Sequence, residues 1–468
     1  MNRRGFLLSA GAAAVKPAIA GADPSAKLND VRLVQASSPD AAQLSRAYAL
    51  SHEVTPAQRA LCMSETGVAN AVRWARQSGR RFAVRSGGHC FEGFSQHRDL
   101  VIDLRGLDAI HYDAATGIVT VGAGVHLGTL MRTLAQHGRA VPAGICPSVA
   151  MSGYTLGGGV GYFGRRDGLL IDQLRSLRLI TADGDLVAAS PTENPDLFWA
   201  CRGGGGDFGI VTELSYQTQP LQDLHWIRLV EPADAVRTAE VFFLWQHRIQ
   251  QYPRHTTLHL RITRRTDATF LLVLEGLSGW QTDDLEREVA SLLRTDAERV
   301  RQAIFTGEAD QIVRRMLPDG GAISANLLNH SHLFDGPVGE RGTLDILARL
   351  MEQPHGRVHL NIEPLGGAVA DVAADATAFP HRQTSFAIQS QVLLRDGDDK
   401  KVLLASNEAM RRVLQPLANG GVYLNYPDLT LSDWGRRYWG SNLPRLKSIK
   451  ARYDPDNVFT HAQSLERA

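Results

Sequence analysis

The amino-acid sequence predicts an α+β fold with more than one domain. Its 468 residues exceed what one hydrophobic core usually supports, and an apolar share of 44% is enough for sizeable cores. In the first half, short strands and helices follow one another without the β-α-β alternation of a doubly wound sheet. In the second half, apolar strands are separated by amphipathic helices, which is typical of an antiparallel sheet covered by helices on one face.

The first half predicts a series of short elements. Residues 28–60 are polar and mixed, and the first clear element is a helix over 65–78, with Val68, Val72 and Ala75 on one face. A strand over 82–84 then leads into a glycine loop. The elements that follow are strands at 100–104, 111–112 and 118–121, a helix at 127–136, a hairpin of 177–180 with 185–187, a helix at 194–200 and a strand at 209–215.

The composition changes near Thr218, and residues 219–420 predict the sheet of a second domain. Its predicted strands are 258–262, 270–274, 358–362 and 386–392, with an amphipathic helix at 283–293 among the helices between them. With helices on one face of this sheet, the other face would be free to cover a ligand that the first half binds.

The charge and cysteine content exclude several classes of function. Fifty basic and 49 acidic residues leave no field that would gather nucleic acid or an anionic membrane, and a small, fairly neutral substrate fits this balance. The four cysteines form no CxxC pair and no histidine has metal-ligand spacing, so the sequence predicts no metal site. In an oxidising compartment Cys62 and Cys90 could pair, a question that the sequence leaves open.

Residues 1–22 have the features of a Tat-type export signal. Arg3 and Arg4 form a twin arginine, a short apolar stretch follows, and Ala18 and Ala20 form a small-residue cleavage site. The apolar stretch is too short to span a bilayer. The prediction is a protein that uses the Tat export machinery, has no membrane anchor after signal cleavage, and is periplasmic or secreted. A disordered basic start is the alternative.

Two glycine-rich segments predict a site for a phosphate-bearing ring system. In segment 85–89 (Arg-Ser-Gly-Gly-His), glycine lets the backbone approach a phosphate closely, and His89 stands beside that loop. Cys146 follows about fifty-five residues later, and both side chains are nucleophiles that can bond to an electrophilic ring carbon. The run 157–161 is not a dinucleotide fingerprint, because no clear strand precedes it. The alternatives are a turn with a solvated histidine and a packed, inert cysteine.

Taken together, these motifs resemble the FAD-linked oxidases of the berberine-bridge-enzyme type, within the vanillyl-alcohol-oxidase superfamily. The resemblance covers the chain from about residue 30 to its end and rests on the segments 85–95, 144–153, 156–159, 198–209, 423–428 and 453–459. It implies a two-part PCMH-type FAD-binding domain over 28–218, a substrate-binding domain over 219–420, and a C-terminal segment over 421–468 that returns to the FAD-binding domain.

The resemblance also implies FAD held by two covalent bonds, from His89 to the flavin 8α carbon and from Cys146 to carbon 6. Cys90 and Ala150 depart from the family pattern, although neither change removes a bonding atom. Val149 falls where dioxygen approaches the flavin in relatives, and its small size favours an oxidase that produces hydrogen peroxide. The further implied cofactor contacts are Arg85, Ser86, Gly87, Gly88, Ser95, Gly144, Ser152, Gly153, Gly157, Gly158, Tyr162, Gly209, Ile210, Val211, Tyr423 and Asn425.

Oxidation of an alcohol carbon requires a base for the hydroxyl proton, and the resemblance places that base at Tyr426. In strand 358–363 the two-residue period puts His359, Asn361 and Glu363 on one face. The resemblance implies that this face lines the substrate cleft, that Glu363 touches the catalytic tyrosine, and that Gln389 is a further cleft residue. A solvated sheet face and a packed tyrosine are the alternatives.

The sequence therefore predicts an exported, FAD-dependent oxidase with a small-molecule substrate and dioxygen as its partners. By this interpretation it transfers a hydride from an alcohol carbon, with a sugar hemiacetal as the favoured substrate. Oxidation of an amine or oxidative cyclisation of a secondary metabolite is the enzymatic alternative. The alternative of a different class is a flavin-binding redox carrier without turnover of its own.

Overall fold

The structure is a computed structural model that describes residues 28–144, 146–221, 223–265, 269–317 and 324–466. The predicted export signal, residues 1–22, lies outside the described residues. The strands are β1 Val31–Gln35, β2 Gln58–Cys62, β3 Phe82–Arg85, β4 Leu100–Asp103, β5 Ile110–Asp113, β6 Ile118–Gly122, β7 Arg139–Ala140, β8 Leu174–Ile180, β9 Leu186–Ala189, β10 Ile210–Gln217, β11 Gln219–Pro220, β12 His225–Ala233, β13 Thr257–Arg264, β14 Phe270–Ser278, β15 Ile304–Thr306, β16 Asn326–Phe334, β17 Val358–Pro364 and β18 Phe386–Leu394.

Helices connect and cover these strands. The helices are α1 Ala41–Ser45, α2 Glu65–Gln77, α3 Leu127–Ala135, α4 Met151–Leu156, α5 Gly164–Asp167, α6 Pro195–Ala200, α7 Ala235–Arg248, α8 Thr282–Leu293, α9 Ala297–Ala303, α10 Ala309–Met316, α11 Gly339–Met351, α12 Lys400–Leu414, α13 Trp434–Trp439 and α14 Leu443–Tyr453. Within the described ranges, no helix is both long enough and apolar enough to cross a membrane.

The first half contains two main sheets. One has the strand order β1-β2-β4-β3 and the other the order β5-β6-β10-β8-β9. In the first sheet β2 and β3 are both parallel to β4, which lies between them, and α2 connects them along the chain. The second sheet is antiparallel and contains the predicted hairpin, now β8 and β9. Residues 58–85 therefore form a β-α-β unit, which was not predicted from the sequence, although the first half lacks the repeated alternation of a doubly wound sheet.

Strands β1 and β2 lie in the segment that looked polar and mixed, and for β2 a buried ion pair explains why. Arg59 on β2 is almost fully buried, and its guanidinium donates to Asp103 Oδ2 at 2.6 Å. Ser45 also accepts from Arg59, at 3.2 Å. A strand that buries a paired arginine loses the apolar pattern by which strands are predicted, because the charge is compensated inside the fold and not by water.

The second half is built around the seven-stranded antiparallel sheet β15-β12-β14-β13-β17-β18-β16. Alternate residues of its strands, such as Leu260, Leu274 and Ile362, pack under the helices with Trp245 and Leu350. The opposite face carries the polar members of the same strands and faces the first half. The α+β fold and the antiparallel sheet covered by helices on one face are therefore confirmed.

Buried arginines join the two halves. Arg165 on α5 donates to the backbone oxygens of Thr256, Tyr252 and Leu365 at 3.0, 2.9 and 2.9 Å. Arg382 forms a two-pronged ion pair with Asp172, at 2.8 and 2.9 Å, and is completely buried. Removing one member of such a pair leaves an unpaired charge buried away from water. These contacts therefore fix how the two halves meet.

The C-terminal segment packs against the glycine-rich parts of the first half. Lys450 on α14 is buried, and its ammonium group donates to the backbone oxygens of Asp207 and Phe459 at 2.9 and 2.8 Å. Its charge is balanced by Asp454 at 2.6 Å. The indole of Trp439 donates to the backbone oxygen of Gly203 at 3.0 Å. These contacts position the loop that precedes α13.

Candidate active site

A cavity of about 510 Å³ lies between the two halves. One side, which we call the loop wall, consists of lining residues from 86–89 and 146–161; the other, the sheet wall, consists of lining residues from β13, β14, β17 and β18. The predicted residues that line the cavity are Ser86, Gly87, Gly88, His89, Ser95, Gly144, Cys146, Val149, Ser152, Gly153, Gly157, Tyr162, Gly209, Ile210, Val211, Asn361, Glu363, Gln389, Tyr423, Asn425 and Tyr426.

The glycines of the loop wall allow close approaches that a side chain would block. Gly88 has a φ of +73°, and a Cβ there would lie 2.5 Å from the guanidinium of Arg85. A Cβ on Gly87 would lie 2.8 Å from the backbone nitrogen of Ala150. At Gly87 the two loops therefore approach each other more closely than a side chain would allow.

His89 and Cys146 both reach this wall. Ser148, in the loop of Cys146, lies 3.4 Å from His89 Nδ1, and the ring of Tyr48 stacks on the imidazole with centroids 3.8 Å apart. Burial lowers the pKa of His89 to about 4, so the imidazole is neutral and nucleophilic at pH 7. Burial raises the pKa of the Cys146 thiol to about 11, which disfavours the thiolate.

Tyr426 and Glu363 form a direct pair at the sheet wall. The phenol of Tyr426 donates to Glu363 Oε1 at 2.7 Å, and within the described residues Oε2 is buried without a hydrogen-bond partner. Burial raises the pKa of Glu363 to about 7, whereas burial and the charge of Glu363 raise the pKa of Tyr426 well above its usual value. The tyrosine is therefore protonated near neutral pH, and the carboxylate is the group that titrates there.

Tyr423 ties the C-terminal segment to the glycine run. Its phenol oxygen accepts from the backbone nitrogens of Gly159 and Val160 at 3.1 and 3.0 Å, and from the Asn425 amide at 2.9 Å. A Cβ on Gly157 would overlap Asn425. This network fixes the loop that carries Tyr426.

The sheet wall carries a connected set of polar side chains. Arg261 Nε donates to Asn361 Oδ1 at 2.7 Å. The Asn361 amide nitrogen donates in turn to Gln389 at 3.2 Å and to Gln391 at 3.0 Å. Glu275 accepts from Tyr162 at 3.2 Å. Amides that donate and accept suit a substrate with several hydroxyl groups.

Three predicted residues do not line the cavity. Arg85 lies beneath Gly88, where its guanidinium donates to the backbone oxygens of Ser45 and Arg46. A Cβ on Gly158 would contact Phe379, away from the cavity. His359 shares the polar face of β17, but its Nδ1 bonds Thr263 at 2.8 Å, farther along the sheet. The expected direct contacts of these three residues therefore find no support in the lining of the cavity.

The sequence interpretation also missed residues that line the cavity. Tyr48 lies in the segment 28–60 that looked polar and mixed, so no pattern indicated that it lines the cavity. By contrast, His259 and Arg261 alternate on β13 in the same way as the polar residues of β17, and Glu275 follows Val273 by two positions on β14. The two-residue period could have identified these three side chains.

Two family models match the chain. The FAD binding domain matches residues 56–190, and the model described as berberine and berberine like matches residues 422–466. The residues at the cavity fit FAD, because glycine-rich loops line one side of it, and the same wall carries the neutral imidazole of His89 and the thiol of Cys146, which must lose its proton before it can react. When bound, this cofactor supplies a hydride acceptor.

Two relatives match over almost the whole chain. The uncharacterised FAD-linked oxidoreductase YgaK of Bacillus subtilis is 30% identical over 440 residues, which cover 93% of this chain and 96% of that protein. The glucooligosaccharide oxidase of Sarocladium strictum is 26% identical over 459 residues, which cover 90% of this chain and 89% of that protein.

The fold is shared with a solved structure as well. The berberine bridge enzyme from Eschscholzia californica superimposes with a TM-score of 0.84 at 22% identity, over 94% of this chain and 97% of that chain. At this identity the likeness shows the fold alone. Fold, family models and full-length relatives agree, and the chain belongs to the berberine-bridge-enzyme-like FAD-linked oxidoreductases of the PCMH-type superfamily.

Proposed function

We propose that this FAD-linked oxidase removes a hydride from an alcohol carbon of a sugar, at the hemiacetal position, and forms a lactone. The observation that carries the proposal is the hydrogen bond from Tyr426 to Glu363, at 2.7 Å, beside a wall of amide side chains. The pair supplies a place for the hydroxyl proton, and the amides suit neighbouring hydroxyl groups. The relation to a glucooligosaccharide oxidase supports the same substrate class.

The proton chemistry follows from the pair itself. Tyr426 cannot act as a base alone near neutral pH, because its raised pKa keeps the phenol protonated, but its own proton already points at Glu363. As a substrate hydroxyl passes its proton to the Tyr426 oxygen, the phenolic proton moves to Glu363. The step therefore requires an ionised Glu363, and activity rises as the pH increases through about 7, the raised pKa of that carboxyl.

The anchoring of FAD through His89 and Cys146 belongs to the proposal. Each linkage replaces a flavin C–H bond with a C–N or C–S bond, and dioxygen takes up the two electrons released. A cofactor fixed in this way does not depend on burial for its retention, which suits a wide cavity shared with a bulky substrate. In support, both nucleophiles line the loop wall, and Ser148 joins their loops.

Dioxygen as the final acceptor, with hydrogen peroxide as product, is also proposed. Val149 lines the cavity, and its small side chain leaves room at that wall. We further propose Tat export to the periplasm or the medium. We also propose that the chain divides into a FAD-binding domain, a substrate-binding domain and a C-terminal segment, with boundaries at residues 218 and 420. Export of a folded protein is consistent with a cofactor that must be bonded in place beforehand.

The test is an anaerobic substrate panel in which bleaching of the flavin absorption band is followed. The panel contains mono- and oligosaccharides, aryl and primary alcohols, and cyclic amines. Bleaching by sugars, with peroxide formed on admission of air, supports the proposal. Bleaching by amines or aryl alcohols alone, or by none of the compounds, contradicts it.

A second test addresses the linkage. Acid precipitation should leave the flavin with the native protein and with either single variant, His89→Ala or Cys146→Ala. It should release the flavin into the supernatant for the double variant. Protein-bound flavin in the denatured double variant would exclude these two residues as the attachment sites.

A further inference from the structure

Arg261 presents an unused guanidinium edge to the cavity. It is the cationic member of the sheet wall, and about 40% of its side chain is exposed. Its Nε is held by Asn361, and Asn361 is itself held by Gln389 and Gln391. In the described part of the chain, the two terminal nitrogens have no hydrogen bond; the nearest carboxylate oxygen, Glu275 Oε1, is 3.7 Å away.

The charges around this guanidinium do not cancel. Glu275 is already engaged, because it accepts from Arg228 at 3.2 Å and from Tyr162 at 3.2 Å. Two guanidinium groups therefore share one carboxylate. Glu363, on the same wall, accepts from Tyr426 and is half protonated near pH 7. Asp207, also in the lining, accepts from the backbone of Leu465 and lies near His461, on segments outside the sheet wall.

From this arrangement, and resting on the proposed oxidation of a sugar, we propose that Arg261 binds a carboxylate and that the substrate is a sugar acid. A guanidinium fixed through Nε offers two parallel N–H groups, which match the two oxygens of a carboxylate. Asn361 and its two glutamine partners hold the fork in place, so little conformational freedom is lost on binding.

The position of the Arg261 guanidinium determines where the acid group lies on the substrate. Arg261 lies opposite Asn361 in the β13–β17 ladder, and Glu363 follows Asn361 by two residues on the same face. Two residues of a strand advance about 6.6 Å. The carboxylate is thus about one sugar ring from the carbon whose hydroxyl meets Tyr426, on the oxidised ring or on the next one.

The test compares sugars that differ only in the acid group. Glucose and glucuronate, galactose and galacturonate, and cellobiose with its uronic acid counterpart are titrated into the oxidised holoenzyme. Binding is read from the perturbation of the flavin spectrum, and the rate of anaerobic bleaching is measured separately. The variants are Arg261→Gln, Arg261→Lys and Glu275→Gln. Arg287→Gln, on the exposed side of α8, matches the change in net charge outside the cavity.

We expect at least one acid to bind at least about tenfold more tightly than its neutral partner, because charge-assisted hydrogen bonds are the strong ones. Arg261→Gln should lower the affinity for the acid at least about tenfold more than the affinity for the neutral sugar, and Arg261→Lys should retain part of the preference. Glu275→Gln should strengthen the preference, since it removes a competing carboxylate. Arg287→Gln should retain the native preference.

Other outcomes overturn the inference and separate it from the proposed function. Equal binding of every acid and its neutral partner, with bleaching by both, overturns the carboxylate site but leaves the sugar oxidase standing. Binding of an acid that depends on Arg261, without bleaching by any sugar, supports the site and contradicts the oxidase. If Arg261→Gln loses the same affinity for acid and neutral sugars, the guanidinium supports the fold, and the inference is overturned. If it shifts the flavin potential and leaves the preference for the acid unchanged, the guanidinium acts on the cofactor, and the inference is overturned as well. Failure of every probe to bind overturns it as well.

Discussion

The loop wall is built from glycine-rich loops, whereas the sheet wall presents long polar side chains from its strands. On the loop wall, Gly87 and Gly88 sit where a Cβ would collide with neighbouring groups. On the sheet wall, Arg261, Asn361 and Glu363 project from alternate strand positions. Backbone contacts depend on a few glycines at fixed spacing, so the loop wall has little freedom to vary. Side chains on a strand can be exchanged without moving the strand, so the sheet wall is where relatives of one fold can differ in substrate.

The strongest test of this contrast is Tyr426→Phe. The rate of flavin reduction should fall by about 10²–10⁴-fold, the usual contribution of a positioned base, while the loop wall keeps its flavin. Stopped-flow reduction and the flavin-to-protein absorbance ratio measure the two effects. Tyr112→Phe, which alters a half-buried tyrosine outside the cavity, is the control and should reduce at the native rate. An unchanged reduction rate in Tyr426→Phe would show that this side chain is not the base.

The pH profile gives the next effect in size. In the native protein the reduction rate should rise with pH through about 7, because burial raises the pKa of Glu363 and the ionised form accepts the phenolic proton. Glu363→Gln should lower the rate at pH 8 by about 10²-fold and flatten this profile. A profile that keeps its inflection in Glu363→Gln would show that another group titrates.

A change in the loop wall should have the opposite signature. Gly88→Ala places a Cβ at a φ of +73° and 2.5 Å from Arg85, so we expect a loss of about 1–3 kcal/mol in the free energy of unfolding and a lower flavin content. Gly79→Ala is the matched control, since Gly79 has a φ of +64° but nothing within 4 Å. It should keep its flavin and lose about 1 kcal/mol. Equal flavin content in both variants would contradict a close-approach role for Gly88.

The smallest expected effect concerns Tyr48, which stacks on His89. Tyr48→Leu should remove about 0.5–1.5 kcal/mol of ring contact and slow attachment of flavin at the histidine. Tyr48→Phe keeps the ring and should attach flavin at the native rate. Acid-stable flavin, followed over time after addition of FAD to apoprotein in a Cys146→Ala background, measures the difference. Matching time courses for the two Tyr48 variants would exclude a role of the Tyr48–His89 ring stack in flavin attachment.

The sequence was sufficient for the fold class and for the strands with clean apolar alternation, such as β13 and β17. It failed for β2, because Arg59 is buried with Asp103 and a paired interior charge has the pattern of a surface residue. The predicted strands also omitted β16, whose face toward α12 carries His330 and His332 inside the protein. Buried polar groups hide strands from a reading that relies on hydrophobic periodicity.

The candidate site shows the same division. Most of the loop residues that the motifs identified line one cavity, but their assigned roles remain predictions. Arg261 belongs to no motif; the two-residue period of β13 puts it on the polar face, and its register opposite Asn361 places it beside the predicted cleft residues. The balanced charge of the whole chain favoured a neutral substrate, whereas a single guanidinium with an unshared edge favours an acidic one. Net charge averages over the whole surface and does not describe the wall of one cavity.

The placement of Tyr426 and Lys450 in one segment has a consequence for how the site is assembled. The loop that carries Tyr426 is fixed by Tyr423, and Lys450 ties the segment to the glycine-rich part of the first half. A local opening of residues 421–466 would therefore withdraw Tyr426 from Glu363, while the strands of the sheet wall and the loops of the loop wall keep their own contacts. Formation of the Tyr426–Glu363 pair is thus coupled to the docking of a segment whose described residues add no strand to either half.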